Sequence, residues 1–457
     1  MKRSTDSISI IGLGYVGLCT AATFASRGIR TVGIDIDEAR VEQIRKGKAP
    51  VYEPQLDRML KSAVKRKLLG ATNDISGATG TDTTFLTVGT PSQQSGSIDL
   101  SYIKNASEDL GKVLREKRGY HLVVVKSTVV PGTTNGTVKS SLEQSSGKNV
   151  GPKLGLCANP EFLKEGTAIN DALHPDKIVI GSNDKKSASQ LSKLYRRFYG
   201  RKLPPIIVTN PESAELVKYA SNAFLATKVS FINTVANIAQ QMPGVDVGTI
   251  AEAIGLDPRI GSLFLKAGPG YGGSCFHKDL QALINYSQNN AYDPMLFRAT
   301  EDANEQQANR VVEMAEKLLG SLSNKTVAVL GLAFKKDTDD IREAASLRVI
   351  NQLKKMGARV VAYDPMAIPN AKKVFSEQID YAENPHSALK GADCAIIMTE
   401  WDQFRKIKAK DFQGYMKTPN LVDARRIYDP EEYRELNYAA IGHGARREKI
   451  LSNHVPS

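Results

Sequence analysis

Cys275 is the residue whose neighbours most resemble a reaction centre. It follows Gly268-Pro269-Gly270-Tyr271-Gly272-Gly273-Ser274, four glycines in six residues and then a serine, and it precedes Phe276-His277-Lys278-Asp279-Leu280. Glycines without a Cβ let backbone lie against a ligand. Ser274 is a good helix cap, and the apolar positions Leu280, Leu283 and Ile284 continue as a helix. That pattern puts Cys275 in the first helical turn, where unpaired N–H groups and the helix dipole favour a thiolate. Lys278 and Asp279, three and four residues on, share its face. A nucleophile, a cation and a carboxylate therefore converge. Taken alone, a cysteine after a Gly-rich turn reads more readily as a buried structural thiol.

Other stretches carry chemistry of their own. Ile8–Ile11 is a short apolar run that feeds Gly12-Leu13-Gly14-Tyr15-Val16-Gly17, and Leu18–Ser26 follows as a helix. Thr31–Ile34 then ends in Asp35. A strand, a G-x-G-x-x-G, a helix and an acid about 20 residues on form a dinucleotide fingerprint. The glycines admit the pyrophosphate, the helix start holds it, and an acid on the ribose hydroxyls favours NAD over NADP. Thr90 and Thr128 sit just after two further strand-like runs, at the edge where open α/β sheets bind ligands. Asn159-Pro160 reads as a helix start, with Glu161 and Glu165 on one face; dipole compensation alone would also place acids there. Lys218 and Asn222 are four apart in an apolar neighbourhood. Phe334–Glu343 is a long polar loop after a strand, which also reads as a plain solvated loop.

These residues need a scaffold, and the chain's patterning describes one. Strand-like and helical runs alternate to about Val208, and again from Thr326 to about Asp423. Between them Glu212–Gln241 has no glycine and no internal proline. It reads as one helix of about 30 residues, or roughly 45 Å, suited to be a linker and a dimer interface. The fold class is α/β: two doubly wound, Rossmann-like domains joined by a long central helix and a small helical dimerisation domain. The expected domains are residues 1–210, 211–318 and 319–457, with a weakly ordered tail after Arg446.

Bulk properties exclude several classes. The chain has 457 residues, 41% hydrophobic and 24% charged, too long for one core and ordinary for a globular protein. No apolar run approaches the roughly 20 residues of a membrane span, and the run at Ile8 meets glycine too early for a signal peptide. Cys19, Cys157, Cys275 and Cys394 are far apart, so neither a metal site nor a disulfide scaffold is expected, and a reducing cytoplasm fits. The net charge of +12 suits phosphate-bearing ligands. No nucleic-acid-binding pattern appears, so Lys61–Lys67, Lys185–Lys193, Arg196–Lys202 and Arg446–Lys449 read as solvated surface.

Together the motifs resemble the UDP-glucose/GDP-mannose dehydrogenase family. The likeness runs from Ile8 to about Asp429. It rests on the fingerprint, Lys126-Ser127-Thr128-Val129-Val130-Pro131-Gly132-Thr133, Asn159-Pro160-Glu161-Phe162-Leu163-Lys164-Glu165-Gly166, Glu215-Leu216-Val217-Lys218-Tyr219-Ala220-Ser221-Asn222, Gly272–Asp279, and Gly331–Lys335 through Asp340–Glu343. The resemblance implies a four-electron oxidation at C6 of a sugar nucleotide, with Cys275 as the covalent relay between two NAD-dependent steps. Lys218 is then the oxyanion stabiliser. Asn222 and Asp279 position and deprotonate the alcohol, Glu161 activates the hydrolytic water, and Thr128 holds a water near it. Cofactor contacts map onto Gly12, Gly14, Tyr15, Val16, Gly17, Asp35, Arg40, Thr90, Thr128, Glu165, Lys278 and Arg342. Substrate contacts map onto Glu161, Phe162, Leu163, Lys164, Glu165, Lys218, Asn222, Phe264, Leu265, Lys266, Ala267, Gly268, Gly272, Lys335, and one of Arg425 or Arg426. Arg259 matches an arginine that in relatives reaches the partner subunit's substrate, which implies a homodimer with a shared pocket.

The Gly-Gly-Ser-Cys-Phe-x-Lys-Asp form is closest to members that oxidise UDP-glucose to UDP-glucuronate. GDP-mannose or another UDP-hexose is the alternative within the family. A nucleotide-binding protein that kept the fold and lost catalysis is the alternative outside it. His277 is a departure, since many relatives have proline there. Two residues past Cys275 it should point away from the thiol, as a structural side chain.

Overall fold

The computed structural model describes residues 7–445. The tail after Arg446, with its basic run, lies outside them. By packing the chain divides into two compact units, residues 1–221 with 281–292, and residues 222–280 with 293–457.

The first unit opens with β1 (Ser7–Ile11), α1 (Tyr15–Ser26), β2 (Arg30–Ile34), α2 (Glu38–Arg45), α3 (Leu56–Lys65) and β3 (Leu69–Thr72). It continues through β4 (Thr83–Leu86), α4 (Ser101–Leu114), β5 (His121–Val125), α5 (Lys139–Ser146), β6 (Leu154–Ala158) and α6 (Ala168–Leu173). It closes with β7 (Ile178–Gly181), α7 (Lys185–Tyr199) and β8 (Ile206–Thr209). The sheet order is β3-β2-β1-β4-β5-β6-β7-β8. Strand residues alternate between two buried faces, as a sheet covered on both sides requires. Ile8, Ile10, Leu122 and Val124 pack with α1, α3 and α7; Ile11, Leu86, Val123 and Val125 pack with α4 and α5. The sheet is mixed, because β7 meets β6 antiparallel and β8 then pairs parallel with β7.

The helical middle of the chain is α8 (Pro211–Ala239), α9 (Val247–Gly255), α10 (Phe276–Asn289) and α11 (Met295–Leu319). At 29 residues α8 is the single long helix that the glycine-free run predicts. The second unit's sheet is built from β9 (Thr326–Leu330), α12 (Ala345–Lys355), β10 (Arg359–Tyr363), α13 (Ile368–Phe375), β11 (Asp380–Tyr381) and α14 (Pro385–Leu389). It continues with β12 (Cys394–Ile397), α15 (Asp402–Arg405), α16 (Ala409–Tyr415), β13 (Asn420–Asp423) and β14 (Asn437–Ala440). All its pairings are parallel, in the order β11-β10-β9-β12-β13-β14. One continuous apolar core joins this sheet to α9, α11 and the end of α8.

Candidate active site

The fingerprint turn of the first unit is fixed by contacts that only glycine allows. Gly12 has φ +93°, and a Cβ on Gly17 would lie 1.9 Å from the Gly12 carbonyl oxygen. A Cβ on Gly14 would meet nothing within 4 Å, so open space lies at the start of α1, where Tyr15 and Val16 form the first turn. That space, with unpaired helix N–H groups facing it, fits a diphosphate. At the end of β2, Asp35 accepts from Leu13 N at 2.6 Å and from Arg40 Nη1 at 3.0 Å. Asp35 and Arg40, both expected at the cofactor, are therefore together. Thr90 Oγ1 donates to the Thr128 carbonyl at 2.7 Å, joining the loops after β4 and β5.

The same unit holds a buried charge cluster. Lys218 Nζ lies 3.0 Å from Glu161 Oε1, and Glu161 also accepts from Leu163 N at 2.5 Å. Burial works against the Glu161 carboxylate. Lys218, the Leu163 N–H and Lys126 outweigh it and hold its pKa below the usual value. Lys126, at the end of β5, pushes the same way while its own pKa is brought down to about 8 by burial and by Lys218. Phe162 places its ring 5.5 Å from Lys218 Nζ. Beside this cluster is a cavity of about 320 Å³ reached by Lys126, Glu161, Leu163, Asp171 and His174. Two residues here had no predicted role. Lys126 directly follows the apolar run Leu122–Val125 of β5, which is its sequence signal. Glu215 accepts from Gly132 N at 2.7 Å and Thr134 N at 2.8 Å, pinning the loop that carries Thr128.

The expected helix after Asn159 is absent, because α6 begins only at Ala168. The Asn159 side chain does not cap. It donates to the Val179 carbonyl and accepts from Tyr195 Oη, and Gly166 turns the chain with φ +83°. Glu161 and Glu165 therefore do not share a helical face. Lys164 is exposed and pairs with Asp171 at 3.5 Å. Gly166 N instead binds Glu53, a buried carboxylate that also accepts from Tyr15 Oη.

In the second unit Cys275 does not lie in the first turn of a helix. α10 starts at Phe276, and Asp279 N donates to the Cys275 carbonyl at 2.8 Å, so Cys275 is the cap itself, one residue earlier than expected. Its thiol is exposed, whereas Cys19, Cys157 and Cys394 are buried. Burial raises the pKa of all three, Cys157 and Cys394 to about 12. Asp279 is held from two sides: Asn222 Nδ2 donates at 2.6 Å and Lys278 Nζ at 2.7 Å. Lys278, expected at the cofactor, here pairs with Asp279.

The glycines before Cys275 serve packing as well as access. A Cβ on Gly272 would lie 2.5 Å from the Glu343 carbonyl oxygen, and one on Gly273 would lie 2.8 Å from the Phe334 ring. The turn thus sits on the polar loop after β9, which carries Lys335 and Arg342. Arg342 forks onto Asp340 at 2.9 and 2.6 Å. In the stretch 264–268, Leu265, Ala267 and Gly268 are buried, Lys266 is exposed and Phe264 is half-buried. Of the two arginines, Arg425 donates to the Phe334 and Met398 carbonyls and approaches Gly268. Arg426 is tied instead to Asp246 at 2.8 Å and to the Ile441 carbonyl at 2.7 Å. Arg259 pairs with Asp257 at 2.6 Å with its side chain 87% exposed.

Three family models match in chain order. Residues 6–199 match the NAD binding domain of the UDP-glucose/GDP-mannose dehydrogenase family, 212–306 its central domain, and 328–430 its UDP binding domain. The chain belongs to this family. The family's NAD binding segment contains the fingerprint and Glu161. Its central segment contains Lys218, Asn222, Arg259, Cys275 and Asp279, and its UDP binding segment contains Lys335, Arg342 and Arg425. UDP-glucose 6-dehydrogenase AglM of Haloferax volcanii is 44% identical, over 93% of this chain and 98% of its own. UDP-glucose 6-dehydrogenase TuaD of Bacillus subtilis is 40% identical, over 94% and 91%. The structure of a UDP-glucose dehydrogenase from Pyrobaculum islandicum superposes with a TM-score of 0.89 at 39% identity, covering 97% of this chain and 99% of that one. Among the described residues no helix is long and apolar enough to cross a membrane, and no group of three or more His, Cys, Asp or Glu residues is arranged to hold a metal ion.

Proposed function

We propose that the chain oxidises UDP-glucose to UDP-glucuronate in two NAD-dependent steps through Cys275. The observation that supports this most is the exposed thiol capping α10, four residues before an Asp279 already ordered by Asn222 and Lys278. The names of the 44% and 40% identical relatives support UDP-glucose over other sugar nucleotides.

Gly12, Gly14 and Asp35 would hold NAD, which when bound would supply the hydride acceptor for both oxidations. Asp279, held by Asn222, orients the C6 hydroxyl and takes its proton. The Cys275 thiolate then adds to the aldehyde carbon, and the oxygen's new charge is balanced by the Lys218 ammonium. Loss of a second hydride leaves a thioester on Cys275. Glu161, kept ionised by Lys218 and Lys126, takes a proton from the attacking water that Thr128 helps to hold, and the thiolate leaves. Arg425 is the arginine assigned to the sugar nucleotide, with Lys335 beside it on the second sheet's edge.

The functional form in this reading is a cytoplasmic homodimer built on α8, with domains 1–210, 211–318 and 319–457. Phe224, Phe231 and Ile238 recur every seventh residue of α8 and are 65%, 52% and 59% exposed. Such an apolar stripe is what a partner helix covers. Exposed Arg259 is then free to enter the partner's site. The test is NADH formation with NAD and a panel of UDP-glucose, GDP-mannose and N-acetylated UDP-hexoses. Turnover of UDP-glucose is expected; preference for GDP-mannose would move the reading within the family, and no turnover with any of them would defeat it.

A further inference from the structure

His277 and Glu301 have no part in the chemistry above, yet they form one of the tightest polar contacts near the thiol. His277 Nδ1 lies 2.5 Å from Glu301 Oε2, and Glu301 is only 3% exposed. The other carboxylate oxygen accepts from Tyr271 Oη at 2.5 Å. One turn further along α11, Asn304 Oδ1 accepts from Tyr271 N at 2.7 Å, while its Nδ2 donates to the Tyr271 carbonyl at 3.2 Å. The Phe276 ring packs edge-on against Tyr271 at 5.7 Å. Helix α11 therefore grips the chain on both sides of Cys275, four residues before it and two after.

We propose that His277 is a positioning residue, which through Glu301 fixes the Cys275 turn and the glycine segment before it to α11 as a single piece. This rests on the reading of Cys275 as the nucleophile. An exposed thiol is not aimed by burial, and the backbone on either side of it limits where it can point. A two-sided anchor limits the cap residue to small excursions, and displacement of a reacting atom by about 1 Å costs on the order of 10²-fold in rate.

The charges around His277 make the anchor sensitive to pH. The bond to Glu301 raises the imidazole pKa, burial opposes it, and Glu301, Glu343 on the loop before α12 and Glu305 on α11 add to the rise. Lys278 follows on the same helix, and Arg348 of α12 approaches Glu343 at 3.9 Å. With the folded pKa above the ordinary 6.5, the charge-assisted bond is complete below that value. It weakens to a neutral bond as pH rises through the raised one.

The test compares His277→Ala with His277→Gln, which keeps an N–H for Glu301. Iodoacetamide labelling of Cys275 without sugar nucleotide is read beside steady-state kinetics with UDP-glucose and NAD. The alanine variant is expected to lose about tenfold or more in kcat and to label Cys275 at an altered rate, with the KM for NAD within about twofold. The glutamine variant should recover most of both but lose the ionisation above the ordinary histidine value that the wild-type labelling profile carries. An alanine variant with wild-type labelling and kcat would overturn the proposal. So would a glutamine variant that folds, by its melting curve, yet recovers nothing. Labelling needs no substrate. If the wild type oxidised no sugar nucleotide, the reaction assignment would fall while the His277 comparison could still be read.

Discussion

Lys218 Nζ stands 3.0 Å from the Glu161 carboxylate, with the two side chains only 5% and 8% exposed. Charges that far from water persist only as partners. The pair joins the start of α8 to the segment after β6 and gives each buried charge a partner of opposite sign.

Lys218→Ala should therefore destabilise the protein as well as stop turnover. Removing one member of a buried pair costs roughly 3–5 kcal/mol, and Lys126, also near Glu161, should keep the loss at the lower end. Urea unfolding checks this. A loss below about 1 kcal/mol would mean that water reaches the pair.

Lys126→Met has a signed effect on pH dependence. The wild-type lysine has a folded pKa near 8 against an ordinary 10.5, so between those values the unfolded chain binds more protons and stability rises with pH. The variant should lack that rise when unfolding is measured at about pH 8 and about pH 10. It should also raise the Glu161 pKa and carry the acid limb of kcat to higher pH.

Cys275→Ser should abolish uronate formation and leave NAD binding intact by fluorescence titration. In the native wild type, alkylation should label Cys275 alone, because the other three thiols are buried and their pKa values are raised. Normal uronate production by the serine variant would remove the thiol from the mechanism.

Arg259→Ala should raise the KM for UDP-glucose about tenfold or more while leaving the melting temperature within a few degrees, since the side chain is 87% exposed and pairs only with its neighbour Asp257 among the contacts described. Sedimentation should show a dimer. Full activity from a strict monomer would end the shared-pocket assignment.

What the sequence revealed and concealed follows from the range of the interactions. The fingerprint was legible because Gly12 and Gly17 answer local steric demands, and α8 because nothing in 29 residues interrupts it. β3 and β14 went unread: Leu69-Gly-Ala-Thr72 and Asn437-Tyr-Ala-Ala440 are four residues each with no clear alternation. The Asn159-Pro160-Glu161 stretch carries helix-start residues, but tertiary bonds from Asn159 to Val179 and Tyr195 override that signal. The cap position of Cys275 shifted by one residue, within what local rules can place. Lys126 near Glu161 and His277 against Glu301 join residues 35 and 24 positions apart, and no helical or strand period connects such pairs.

A covalent relay on Cys275 would carry one alcohol through two oxidations without release of the aldehyde. The most direct measurement is the ratio of NADH formed to UDP-glucose consumed, with products identified by mass spectrometry. Two NADH for each UDP-glucose are expected, with UDP-glucuronate as the only product. One NADH for each UDP-glucose, with free aldehyde accumulating, would contradict the relay.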